Sequence, residues 1–170
     1  MMRGWSLCLV LAGLGCATAL PPVEVTTRVD PDTDFSVFRT FAQADPPWEH
    51  PVVGARVHRE IDREFESKGY RMVPLDEADL VIVFRARGVR ATRQQRVPDP
   101  DTFYYYRLER YIEGTLEIDV FHSGQEKRVW QGVGMVDVHS ESQAEEAAAW
   151  TVVEILSTFP RQRDEPASGL

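Results

Sequence analysis

The sequence predicts an α+β domain in which two helices pack on one face of a mostly antiparallel sheet, or of a mixed one. Three observations carry this reading. Period-two alternation of apolar and polar residues marks Val23 to Val29 and Tyr111 to His122 as strands with one wet face. Apolar residues at helical spacing mark two amphipathic helices, one opening at Pro51 and one ending near Phe159. The order strand, helix, strands, hairpin, helix separates the helices from a run of strands rather than alternating them, as α+β domains do.

The elements follow in order. Val23, Val25, Thr27 and Val29 alternate with Glu24, Thr26 and Arg28, and Asp30-Pro31-Asp32-Thr33-Asp34 ends that strand as a turn-rich loop. Phe35, Val37, Phe38 and Phe41 fill one end of the core, with a short strand near Thr40 to Ala42. Asp45-Pro46-Pro47-Trp48 is a break. Pro51 opens a helix where its missing N–H costs nothing. Val53, Val57, Ile61 and Phe65 form its core stripe, with Arg56, Arg59, Glu60, Arg63, Glu64 and Lys68 on the other faces. Gly69 supplies the left-handed cap. Tyr70 to Val73 is a short strand, and Ala78 to Arg87 a longer one whose run Leu80 to Phe84 has both faces covered. Val89 to Asp101 reads as a polar loop.

Tyr111 to His122 and Val129 to Val138 form a hairpin around Ser123-Gly124-Gln125-Glu126. Pairing Val120 with Trp130 sets Ile118 opposite Gly132, Leu116 opposite Gly134 and Gly114 opposite Val136, large against small each time. The glycines then mark close approach by a packed helix. Ser142-Gln143-Ala144-Glu145 reads as a capping box. Ala144, Ala148, Val152, Ile155 and Phe159 line the helix that follows, and Pro160 stops it. The organisation is a signal peptide over 1–15, a tether over 16–22, one domain over 23–160 and a disordered tail over 161–170.

The leader carries the clearest functional information. Arg3 precedes the apolar stretch Leu7 to Gly15, which has signal-peptide length and is too short to span a bilayer. Cys16 stands at the cleavage zone, where a bacterial lipoprotein is cut and acylated. Gly13 departs from the usual pattern, and Ala17-Thr18-Ala19 offers ordinary signal peptidase a rival cut before Leu20, which would release a soluble protein. The other cysteine, Cys8, also lies in the leader, so the domain has no disulfide framework, cysteine–zinc site or cysteine nucleophile. A formal net charge of −8 repels nucleic-acid phosphates and anionic membrane alike, so membrane attachment falls to lipid on Cys16.

The arrangement resembles a family of bacterial lipoproteins known as domain of unknown function 4136. The resemblance runs from about Val23 to Pro160. Its most specific part is Glu113-Gly114-Thr115-Leu116 with Trp130-Gln131-Gly132, supported by Asp34-Phe35-Ser36, Arg39-Thr40-Phe41-Ala42, Lys68-Gly69-Tyr70 and Ala78-Asp79-Leu80. It implies a lipobox, and so acylation of Cys16. With Ala17 rather than aspartate after the cysteine, the expected location in a Gram-negative host is the periplasmic side of the outer membrane. The family brings no activity, cofactor or metal to carry over.

Candidate chemistry in the domain is sparse. His50, His58, His122 and His139 lack metal-ligand spacing; in the hairpin register His122 and His139 stand about 36 Å apart at roughly 3.3 Å per residue. Glu113, Glu117 and Asp119 share a strand face at glycosidase-like spacing. They supply a weak hydrolase alternative, although alternating carboxylates are also how any wet strand face looks. No catalytic residue is assigned. The distinctive surface is Arg90, Arg93 and Arg96 with Tyr104, Tyr105, Tyr106 and Arg107, in an otherwise acidic chain. Guanidinium pairs with carboxylate or phosphate and tyrosine rings stack, which suits an envelope glycan or an acidic protein partner. The expected function is therefore a non-enzymatic binding or scaffold lipoprotein, with a soluble periplasmic or secreted ligand-binding protein as the alternative.

Overall fold

The structure, a computed structural model, describes residues 21–44 and 51–162. The leader with Cys8 and Cys16, the rival cut at Ala19, His50 and the tail from residue 163 lie outside the described residues.

Six strands and two helices make one layer on another. The strands are β1 (Val23–Val29), β2 (Thr40–Gln43), β3 (Arg71–Met72), β4 (Leu80–Asp99), β5 (Phe103–His122) and β6 (Lys127–Val138). The helices are α1 (Pro51–Ser67) and α2 (Glu141–Leu156). The sheet order is β1-β6-β5-β4-β2-β3. β2 runs parallel to β3 and β4, and the other pairs are antiparallel. The sheet is thus mixed, because α1 carries the chain from β2 to its parallel neighbour β3 and a short connection returns it to β4.

Both helices cover one face. Val57, Ile61 and Phe65 of α1 and Val152, Ile155 and Leu156 of α2 are fully buried against Leu80, Ile82, Phe84, Ile118 and Val120. Phe159 is the hub. Its ring meets those of Phe35, Phe65, Tyr70 and Trp130 at centroid distances of 4.8 to 5.7 Å. The β5–β6 register is the one the large-against-small pairing predicts, with Val120 opposite Trp130, Ile118 opposite Gly132, Leu116 opposite Gly134 and Gly114 opposite Val136. The physical reason is α2. A Cβ at Gly132 would run into Ile155 and Trp130, and one at Gly134 into Thr151 and Ile155.

Two tethers close the far end of the core. Asp79 Oδ2 accepts the amides of Arg39 (2.8 Å) and Thr40 (2.9 Å), while its own amide donates to Thr40 Oγ1 (2.9 Å). Burial alone would raise the Asp79 pKa, but these bonds together outweigh it and hold the carboxyl below its usual range. Gln162 donates from its amide to the Lys68 carbonyl (2.9 Å) and from Nε2 to the Phe35 carbonyl (3.0 Å), so residues just past Pro160 are docked on the domain. Gly69 adopts φ +92°, as its capping role requires, with Gln162 packed over it.

Several local expectations need correction. Val89 to Asp101 is not a polar loop: β4 continues to Asp99, and β5 begins at Phe103 rather than Tyr111. The capping box fails because α2 starts two residues earlier, with Ser140 at its N-cap and no side-chain cap bond. Val37 is exposed, having turned outward on a single 3-10 turn, whereas Glu60 of the polar face of α1 and Lys68 just past its end are buried. Glu60 is met by Arg56 and Arg63 one turn away on either side. Burial, and secondarily Arg161, pushes the Lys68 ammonium pKa down.

Candidate functional site

β5 is flanked by β6 only from Ile112 onward, and β2 covers β4 only from Leu80 to Ile82. Beyond Ile112 the two long strands therefore continue alone, from Ala91 opposite Tyr111 to Asp99 opposite Phe103 without a break in register. Nine residues of β5 at roughly 3.3 Å each carry this ribbon about 30 Å past the end of β6. Its tip is a turn built on Asp99, whose Oδ1 accepts the amides of Asp101 (3.0 Å) and Thr102 (2.8 Å) and the Thr102 hydroxyl (2.9 Å). The Thr102 amide leads in holding the Asp99 carboxyl below its ordinary pKa. Phe103 closes the turn at φ +66°, a left-handed conformation usually left to glycine, and its ring is 89% exposed.

Every predicted ligand-binding residue in the domain lies on this ribbon, but alternation divides them between its faces. Arg90, Arg96, Tyr104 and Tyr106 share the face that continues the helix-covered side, together with Leu108 and Arg110. Arg93, Tyr105 and Arg107 share the opposite face with Glu109 and Tyr111. On the first face the Arg96 guanidinium lies 3.7 Å from the Tyr104 ring centroid, and Tyr104 meets Tyr106 edge-on at 5.5 Å. On the second, Arg93 is spoken for: it pairs with Glu109 (2.9 Å) and with Asp137 of β6 (2.9 Å) and covers the Tyr111 ring at 4.3 Å. Arg93 is a strut joining ribbon to sheet, and its arginine-rich neighbourhood in the sequence conceals that. Arg107 Nη2 donates to the Tyr105 hydroxyl (3.3 Å).

Sequence reasoning passes over Phe103 and Leu108, the ribbon's most exposed apolar side chains. The available signal was the uninterrupted run from Phe103 to Leu108, which holds no acidic residue. Arg90 also lines a cleft of about 380 Å³ at the base of the ribbon, with Arg110, Tyr111, His139 and Ser140.

The carboxylates considered for acid–base work lie on the open face of the sheet. Asp119 is 1% exposed and held by Arg85 Nη2 (2.6 Å) and Arg128 Nη1 (3.1 Å). Glu117 accepts from Arg85 and from Gln131 Nε2, which also donates to Asp119. The bond to Glu117, ahead of the Coulombic pull of both acids, raises the Arg85 pKa. Glu113 accepts from the Tyr111 hydroxyl (2.9 Å) and thereby raises that phenol's pKa. These groups form a cross-strand ion-pair ladder. The described histidines stay apart: His58 packs edge-on against Phe84, the His122 ring lies tilted 5.0 Å from that of Phe38, and His139 Nδ1 lies 3.6 Å from Glu109. Among the described residues no cluster of three metal-ligating side chains occurs, and no helix is long and apolar enough to cross a membrane.

A protein-family model for a domain of unknown function, DUF4136, matches residues 25–161. The chain belongs to that family. No curated protein matches it. Among solved structures, the chain is similar in fold to a PDZ domain protein from Parabacteroides distasonis, at 13% identity and a TM-score of 0.60. The match covers 85% of this chain but only 38% of that one. It is also similar to a PelC dodecamer from Paraburkholderia phytofirmans, at 13% identity and a TM-score of 0.55, over 84% of this chain and 100% of that one. At such identities the likeness is one of fold.

Proposed function

We propose that this protein is a non-enzymatic binding or scaffold domain of the bacterial cell envelope. An acylated Cys16 tethers it on the periplasmic side of the outer membrane, and the β4–β5 ribbon engages its partners. The observation that carries the reading is the ribbon itself. An arm that adds nothing to the core holds Phe103, Tyr104, Tyr105, Tyr106 and Leu108 exposed among arginines. Exposed apolar groups gathered on one element mark interaction sites. Arg96 stacked between solvent and Tyr104 suits an anionic partner, an envelope glycan or an acidic protein, since guanidinium binds carboxylate or phosphate while the ring behind it excludes water. The dodecameric state of the similar PelC structure supports a scaffold role. The acidic residues of the open face, already satisfied by Arg85, Arg128 and Gln131, favour binding over hydrolysis.

Two measurements test this. Mass spectrometry of the mature N-terminus should find an acylated Cys16; a free Leu20 would instead make the protein soluble. Titration of purified protein with lipopolysaccharide and peptidoglycan should show binding that falls at least tenfold when Arg96, Tyr104 and Tyr106 are changed together to alanine. Binding that is unchanged, or absent from both proteins, would defeat the ribbon's assignment.

A further inference from the structure

Among the described residues the long open edges of the sheet are β1 and the two sides of the ribbon, and the hydrogen-bonding groups of β1 and β4 can be assigned. On β1 the Asp30 amide donates to the Val129 carbonyl of β6. Backbone groups in an antiparallel pair turn alternately toward and away from the neighbour. Even-numbered residues of β1 therefore face β6, and Val23, Val25, Thr27 and Val29 turn N–H and C=O outward. On β4 the Ile82 carbonyl accepts the Ala44 amide, so even-numbered residues face away from β5. With the β4–β5 register unbroken, Gly88, Thr92 and Gln94 present outward backbone groups along the ribbon. Pro98, which has no N–H to offer, occupies the same outward parity near the tip.

The edges differ in charge. Between Arg85 and Arg96, β4 holds five arginines and no acid, Arg85 and Arg93 being paired already with acids of β5 and β6; β1 and its following loop hold Glu24, Asp30, Asp32 and Asp34 against Arg28, with Asp30 paired to Lys127. Pairing two ribbons edge to edge would set arginine rows against each other, whereas β1 against β4 brings opposite charges together. We propose that a second copy of this chain adds its β1 edge to the outer edge of the β4 ribbon, head to tail. The seven residues of β1 span about the length from Gly88 to Gln94. Because each copy keeps one edge of each kind unused, the contact repeats, and it gives a ring where the rotation closes. The inference rests on the scaffold reading and names its partner.

Proline on an edge strand at an outward N–H leaves the monomer's own ladder intact. Thr27→Pro spoils the β1 edge and Thr92→Pro the β4 edge. In native mass spectrometry and sedimentation, the full mature chain in detergent should form a multimer and each variant alone a monomer. Their equimolar mixture, which retains one good edge of each kind, should form a heterodimer and nothing larger. A monomeric wild type would overturn the proposal while leaving glycan binding to be judged separately. So would a Thr27→Pro variant that assembles like wild type, since that would require an arm-to-arm contact. Hydrogen exchange on the wild type needs no variant: the amides of Thr27, Gly88, Thr92 and Gln94 should slow as protein concentration rises, and unchanged rates would also overturn it.

Discussion

The two halves of the β4–β5 hairpin share strands and register yet live in different solvents. In the near half Ile82 and Phe84 face Val120 and Ile118 across the ladder, all fully buried beneath the helices, with further strands on both sides. In the far half both faces and both edges are wet. A two-stranded ribbon is marginal by itself. What holds this one is local: the Asp99 turn, the Arg93 strut to Asp137, and the Arg96–Tyr104 stack, worth about 0.5–1 kcal/mol for an exposed cation–π pair. The near half supplies stability and the far half supplies a binding surface. Substitutions should therefore separate the two properties cleanly.

The largest effects belong to the near half. Phe159→Ala removes the ring that joins Phe35, Phe65, Tyr70 and Trp130, and should cost about 3–5 kcal/mol in urea unfolding. Residual folded protein should bind through its ribbon as wild type does. Gly132→Ala comes next. Its Cβ would collide with Ile155 and Trp130, and overpacking of this kind costs about 1–3 kcal/mol.

Asp79→Asn should cost about 1.5–3 kcal/mol, the range for hydrogen bonds to a charged group, because the amides of Arg39 and Thr40 would then face a neutral acceptor. The pH dependence has a definite sign. The folded-state pKa lies below the ordinary Asp value of about 3.9, so the carboxylate's contribution is complete at neutral pH. It fades as pH falls through that value and on through the lower folded pKa. The stability gap between wild type and Asp79→Asn should close over that acidic window; a gap independent of pH would remove the charge from the explanation.

The same division explains what could be read from the sequence. The near half was legible because burial writes a pattern. Ile118, Leu116 and Val120 alternate with acids, and Gly132 and Gly134 answer them across the ladder, so strand, face and register could all be deduced. The ribbon was legible in chemistry and illegible in structure. Arg90, Arg93, Arg96 and the tyrosines stood out by type, but a strand wet on both faces has no reason to alternate, so Val89 to Asp101 looks like a loop. The loss of the strand hid the division of the site residues between two faces and the pairing of Arg93 with Asp137. At α2 the error was different: Ser142 and Glu145 have capping spacing, but the chain leaving β6 reaches helical geometry two residues sooner, at Ser140.

The smallest effect on stability should come from the largest change. Ala91 and Tyr111 face each other across the ladder and, by the parity that turns Ile82 and Thr92 outward, exchange backbone hydrogen bonds. Such a pair is what a two-residue Asn-Gly turn closes. Replacing Thr92 to Arg110 with Asn-Gly would remove the ribbon and leave Ile112 against Val138. The deletion forfeits the Arg93–Asp137 ion pair and the Glu109–His139 contact, both at least partly exposed, and such surface pairs contribute about 0–1 kcal/mol each. Urea unfolding should therefore shift by no more than about 2 kcal/mol, while glycan binding and self-association both disappear. If the shortened protein instead unfolded or lost several kcal/mol, the ribbon would be structural, and its exposed tyrosines would need another explanation. If it remained stable and still bound glycan, binding would have to be reassigned to the open face around Arg85 and Arg128.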